Sequence, residues 1–172
     1  MGTAWQGMLL DMSDILVRLA TEADVRDVES VRVRSWKHAY LGLVADAYLD
    51  ALAVTDERVR LHAALLDTAA QTWVAVDGED VVGMAVCGPC RDQDLPDALE
   101  LGALYVLASH WGSGTGHALL TACGPVETLW VLAGNARACA FYDRHGFAPD
   151  GTSKEHPDLS ALEVRYRRPR LA

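Results

Sequence analysis

Apolar residues fall along the 172-residue chain in two alternating rhythms. Residues 15–20 form a short apolar run that reads as a strand. Thr21 or Asp24 then stands where a helix cap is needed for a helix carrying Val25, Val28, Val31 and Trp36. A second helical pattern runs from about Ala45 to Leu66 on Tyr48, Leu49, Leu52, Val59, Ala63 and Leu66. Residues 71–76 read as a strand, Asp77-Gly78 as a hairpin turn, and residues 80–87 as the returning strand. Residues 87–96 form a loop, and the most apolar run, residues 99–108, is the expected central strand. A glycine cluster, His110-Trp-Gly-Ser-Gly-Thr-Gly116, opens a short helix that Gly124-Pro125 stops. Residues 128–132 form another strand. Asn135 caps a helix that runs to about His145, with Ala138, Phe141, Tyr142 and His145 on one face. Residues 162–168 alternate as a last strand. The pattern predicts an α/β fold, a mixed sheet with helices on its faces. Residues 1–14 show neither rhythm and read as an N-terminal extension to a single domain over 15–168, with 169–172 as a C-terminal tail.

Composition narrows the classes of function. Hydrophobic residues make up 51% and charged residues 23%, enough apolar material for one core. Fifteen Lys and Arg against 24 Asp and Glu give a net charge of −9, which argues against nucleic acid as a partner. No apolar run approaches the length of a membrane span, and the N-terminus lacks the basic and apolar regions of a secretory signal. Four cysteines are too sparse for a disulfide framework. They read as buried thiols, so a cytoplasmic protein is expected.

The glycine cluster carries the first chemistry. A strand leading through close-set glycines into a helix aims backbone N–H groups at an anion, commonly phosphate. A dinucleotide fingerprint fails because its third glycine falls on His117 or Leu119. A P-loop fails for want of a lysine. Two readings stay open: a Gln/Arg-x-x-Gly-x-Gly/Ala pyrophosphate loop for coenzyme A, with Trp111 in the first slot, or a glycine turn with no ligand.

A second motif lies downstream: Leu129-Trp-Val-Leu-Ala-Gly-Asn135, then Ala-Arg-Ala-Cys-Ala-Phe-Tyr-Asp-Arg-His-Gly-Phe147. Here the chain resembles the GNAT superfamily of N-acetyltransferases. The strand-ending Asn, the Arg two residues on, Phe-Tyr and the Gly-Phe stop are similar to that family's second cofactor motif. Glu100-Leu-Gly-Ala-Leu-Tyr-Val106 with the glycine cluster is similar to its first. The segment Val33-Arg-Ser-Trp-Lys-His-Ala-Tyr40 and the hairpin at Asp77-Gly78 fall in family order, so the resemblance covers about residues 15–168.

The resemblance implies a mixed, mostly antiparallel sheet with helices on both faces and a splayed cofactor cleft between the fourth and fifth strands. It also implies acetyl-CoA as cosubstrate, no metal, and transfer to a primary amine by direct attack in a ternary complex. Leu104, Tyr105 and Val106 would pair with the pantetheine arm, and Leu104 or Val106 N–H would serve the oxyanion. Trp111, Gly112, Ser113, Gly114, Thr115 and Gly116 would wrap the pyrophosphate, and Asn135 would bond the pantetheine amides. The acceptor would be a small-molecule or peptide amine near Trp36, Tyr40 and the 88–98 loop. A homodimer is compatible with the family. Relatives often carry Arg or Lys in or just after the loop, where Ser113 and His117 stand here. Their following helix is also longer than the roughly nine residues expected here. A catalytically degenerate acyl-CoA-binding or interaction module is the alternative.

An alkylammonium with a pKa of about 10 leaves about one molecule in a thousand as free amine at neutral pH, so a base must take its proton. Glu100, at the start of an apolar strand, is the candidate, with partial burial expected to raise its pKa. Asp92 and Asp94 are its rivals, or the holders of a cationic acceptor. Tyr142 is the candidate acid for the leaving thiolate. Cys87-Gly-Pro-Cys90 lacks the second half of a zinc site. Cys139 reads as packing rather than as a nucleophile. Arg165, Arg167, Arg168 and Arg170 read as a solvated basic strand face.

Overall fold

The structure, a computed structural model, describes residues 15–156, 159 and 161–168. The N-terminal extension, the C-terminal tail and Arg170 lie outside the described residues. Among the described residues there are seven strands and five helices, in the order β1 (Leu16–Leu19), α1 (Val25–Ala39), α2 (Asp46–Ala51), α3 (Asp56–Leu65), β2 (Gln71–Asp77), β3 (Asp80–Pro89), β4 (Leu99–Val106), α4 (Thr115–Ala122), β5 (Thr128–Leu132), α5 (Ala136–Arg144), β6 (Ala148–Glu155) and β7 (Leu162–Arg167). They build one sheet in the order β1-β2-β3-β4-β5-β7-β6, in which β4 and β5 alone run parallel. The α/β class and the mostly antiparallel sheet are as expected.

Local chemistry explains the boundaries. Thr21 and Asp24 form a reciprocal capping box ahead of α1, and Arg18 grips the Asp24 carboxylate at 2.7 and 2.8 Å. Gly78, at φ 59°, supplies the left-handed residue of the β2–β3 hairpin. The single helix expected over residues 45–66 is two helices. Leu52 is extended, and the Thr55 hydroxyl accepts from Arg58 N–H at 3.3 Å to start α3 afresh. A competing cap overrides the apolar period there.

β6 is a strand that the pattern did not predict. Its eight residues are all exposed, and it contains Pro149 and Gly151. It borders only β7, with a register break between Pro149 and Ser153. Edge strands tolerate polar residues, Pro and Gly because one side never enters the core.

The sheet buries apolar side chains on both faces. A Cβ at Gly83 of β3 would lie 2.9 Å from Leu119 Cδ1 and 3.4 Å from Thr115 Cγ2, so this face lies under α4. The alternate residues Val82 and Met84 are equally buried, and α1 packs against the same strand. The short α4 still reaches β1, β2, β3 and β4.

Candidate active-site cleft

β4 and β5 pair only at Glu100↔Thr128 and Leu101↔Leu129, and then separate. On the other side of β4, Leu107 N–H donates to the Val82 carbonyl at 2.9 Å. By the two-residue alternation of an antiparallel ladder, Tyr105 also turns its peptide groups to β3, and Leu104 and Val106 turn theirs into the gap. The gap opens into a cleft of about 830 Å³. It is lined by Trp36 of α1 and Tyr40 just after it, residues 101–106 of β4, the glycine loop and one face of α5. Ala138, Phe141, Tyr142 and His145, whose spacing placed them on one helix face, all line it.

The glycine loop sits at the C-terminal end of β4. Gly112 and Gly114 take φ 80° and 89°, and a Cβ at either would meet nothing within 4 Å, so the backbone there is open to close approach. Gly116 is needed for another reason: its Cβ would lie 3.3 Å from the Phe141 ring, where α4 meets α5. Trp111, Gly112, Gly114 and Gly116 line the cleft. Ser113 and Thr115 serve the loop itself. The Ser113 hydroxyl donates to the His110 carbonyl at 2.7 Å and lies 2.7 Å from Thr115 Oγ1, and Thr115 is buried. Trp111 Nε1–H donates to the outward carbonyl of Val106 at 2.9 Å, with the Arg137 guanidinium 3.7 Å above its ring. The Val106 N–H is thereby left as that residue's outward group for a ligand.

Asn135 performs the capping role expected of it. Its Oδ1 accepts from Ala138 N–H at 3.1 Å, and the residue lines the cleft. Tyr142 packs edge-on against Phe141 and Phe147 while lining the cleft. Burial pushes its hydroxyl up from the ordinary phenol value, so the proton is retained at neutral pH.

Three acids depart from expectation. Glu100 is buried, and burial alone would raise its pKa, but Arg91 reverses the direction. The Arg91 backbone N–H and Nε donate to Oε2 at 3.0 and 3.1 Å, and Nη2 donates to Oε1 at 2.6 Å. The carboxyl is held below its usual range, so the expected upward shift is overturned. Asp92 and Asp94 do not line the cleft, and both are ion-paired to Arg165. Arg165 lies 3.2 Å from Asp92 and 2.7 Å from both Asp94 and Asp150, joining the 88–98 loop to β6 and β7. Arg165 is itself buried, so the basic strand face expected at the end of the chain is wrong at this position.

At the acceptor end, Trp36 packs against Tyr40 at 5.0 Å and Tyr105 at 6.4 Å between ring centroids. Burial, the leading cause, raises the Tyr40 hydroxyl. Glu163 lines the same space, with Lys154 at 3.9 Å, and the Lys154 ammonium lies 3.7 Å over Trp130. Arg91, Trp130, Lys154 and Glu163 are site residues that motif reading passed over. They come from a loop and three strands with no mutual spacing in sequence. His145 could have been found, because its spacing already put it on the cleft face of α5.

Cys87 and Cys90 are not a pair. Cys87 is buried beside Cys123, which lowers the Cys87 thiol and is itself raised, whereas Cys90 is half-buried in the loop. Among the described residues no cluster of three or more His, Cys, Asp or Glu could hold a metal ion, and no helix is long and apolar enough to cross a membrane.

A sheet opened between its single parallel pair, with a glycine loop at the mouth, defines an acyltransferase of the GNAT type. The family model of the acetyltransferase (GNAT) domain matches residues 68–149. YuaI, an N-acetyltransferase of Bacillus subtilis, is 28% identical over 179 residues, covering 90% of this chain and 99% of its own. The PaiA N-acetyltransferase of Thermoplasma acidophilum, solved in complex with coenzyme A, superimposes with a TM-score of 0.70 at 18% identity, over 89% of this chain and 98% of its own. YncA of Salmonella typhimurium, solved with its cofactor acetyl-CoA, gives 0.67 at 19% identity, over 93% and 95%. The domain over residues 68–149 and the fold around it are similar to those of GNAT N-acetyltransferases.

Proposed function

We propose that the protein transfers an acetyl group from acetyl-CoA to a primary amine by direct attack in a ternary complex. One observation carries this reading: the β4–β5 separation turns the outward N–H groups of Leu104 and Val106 into a cleft between the glycine loop and Tyr142. The open backbone at Gly112 and Gly114 fits a diphosphate. The outward peptide groups of Leu104 and the amide of Asn135 fit the amides of a pantetheine arm. The structures of PaiA with coenzyme A and YncA with acetyl-CoA support the cosubstrate.

Acetyl-CoA, when bound, supplies a thioester and a thiolate leaving group. The Leu104 or Val106 N–H donates to the oxygen that gains charge. Tyr142 holds the proton that the departing sulfur takes. Glu100, salt-bridged to Arg91, accepts a hydrogen bond from the acceptor amine or from its water, and the ammonium proton leaves through water rather than to a carboxylate poised near neutrality. The aromatic walls Trp36, Tyr40 and Tyr105 receive the body of the acceptor, a small molecule or a peptide end. We place the reaction in the cytoplasm, in keeping with four free thiols.

The test is release of free coenzyme A from acetyl-CoA across a panel of amines. Acceptor-dependent release supports the reading. Binding of acetyl-CoA with no acceptor-dependent release supports the second one, a binding module of the same fold, which the locking of Glu100 by Arg91 favours.

A further inference from the structure

We infer that His117 and His145 form a one-proton site at the glycine-loop end of the cleft, so that a diphosphate ligand and a proton bind together. This rests on the coenzyme A reading above and adds residues that no cofactor motif supplies.

The tautomers follow from the hydrogen bonds. His145 Nδ1 lies 2.7 Å from the Phe141 carbonyl oxygen, which can only accept, so Nδ1 carries the hydrogen. In the neutral ring Nε2 is then a lone pair, and it faces His117 Nδ1 at 3.0 Å. His117 must donate from Nδ1, which leaves its Nε2 outside the bond. A proton added at His117 Nε2 makes a cation and breaks neither hydrogen bond. A proton added instead at His145 Nε2 would set N–H against N–H at that same distance. The pair therefore takes one proton and no second.

Its surroundings call for an anion. The loop 111–116 contains no Arg or Lys. His117 stands on α4, and Arg137 and Arg144 of α5, with His110 before the loop, line the same cleft. His110 is already held by Asp77 at 3.1 Å. Among the described residues neither His117 nor His145 has a carboxylate within ion-pair distance, and the two carboxylates that line the cleft, Glu100 and Glu163, face Arg91 and Lys154. A bound diphosphate is then the counter-charge that favours the protonated pair.

Titration calorimetry of the full chain with 3′-dephospho-coenzyme A tests this, because its diphosphate stays fully ionised across the range. Buffers of different ionisation enthalpy report the protons taken up. Net uptake near neutral pH is expected, with affinity about fivefold higher at pH 6 than at pH 8, as suits a partly exposed charge. His117→Gln and, separately, His145→Gln should remove the uptake and flatten the pH dependence. Both positions reach the surface, and melting temperature confirms folding. Binding without proton uptake, or uptake that persists in both variants, overturns the inference. Failure of coenzyme A and its dephospho form to bind at any pH overturns the cofactor reading, and this inference with it.

Discussion

Glu29 gives a prediction whose size can be worked from the structure. It is fully buried on α1, and Arg32 reaches its two oxygens at 2.8 and 2.6 Å. From α3, Arg58 lies at 3.8 Å, and His62 Nδ1 lies at 3.2 Å but off the hydrogen-bond direction. Burial would raise the carboxyl, but Arg32 and His62 outweigh it and bring it from 4.5 to about 2. A depressed folded value means that stability is present above the unfolded pKa and is lost as pH falls from about 4.5 toward 2. At 1.36 kcal/mol per unit, the contribution at neutral pH is roughly 3 kcal/mol. Glu29→Gln should therefore lower the melting temperature at pH 7 by roughly 6–12 °C for a chain of this size. Thermal unfolding of both proteins at pH 7, 5 and 3 is the assay, and the two should converge as the pH falls. Equal melting at pH 7, or a gap that does not change with pH, would refute the assignment. The same change should raise the KM of the acceptor more than it lowers kcat, because α1 carries Trp36, and Tyr40 at its C-terminal end, into the cleft.

Tyr142→Phe should lower kcat by roughly ten- to a thousand-fold with little change in acetyl-CoA affinity, measured in the thiol-release assay; an unchanged kcat would leave Tyr142 a packing residue. Glu100→Gln should slow the reaction at every pH and leave the shape of the kcat/KM profile between about pH 5.5 and 8.5 intact, because Arg91 holds the carboxyl below that range. Loss of an acid limb in that variant would instead restore Glu100 as a base titrating near neutrality. Arg165→Met should destabilise the fold by about 3 kcal/mol in urea, since it strands the carboxylates of Asp92 and Asp150. A variant as stable as the parent would count against the loop-to-strand tether.

Much of the fold was legible in the sequence because the signals are local. The apolar run of β4, the Asp77-Gly78 turn, the glycine cluster before α4 and the Asn135 cap each depend on neighbours a few residues away, and each stands where it was expected. The residue pattern also carried the GNAT resemblance and the cleft face of α5. Where two local signals compete, the pattern misled: the Thr55 cap divides the helix expected over 45–66, and the polar edge strand β6 carries no apolar rhythm to read. The electrostatics of the site belonged to the tertiary structure alone. Glu100 looked like a base because burial raises a carboxyl, and only the folding of the 88–98 loop back over β4 brings in Arg91 and reverses the sign. Asp92 and Asp94 looked available until β7 brought Arg165 against them from 73 and 71 residues away. The sequence shows which charges the chain carries, but a pKa depends on which of them meet, and that is set by long-range packing.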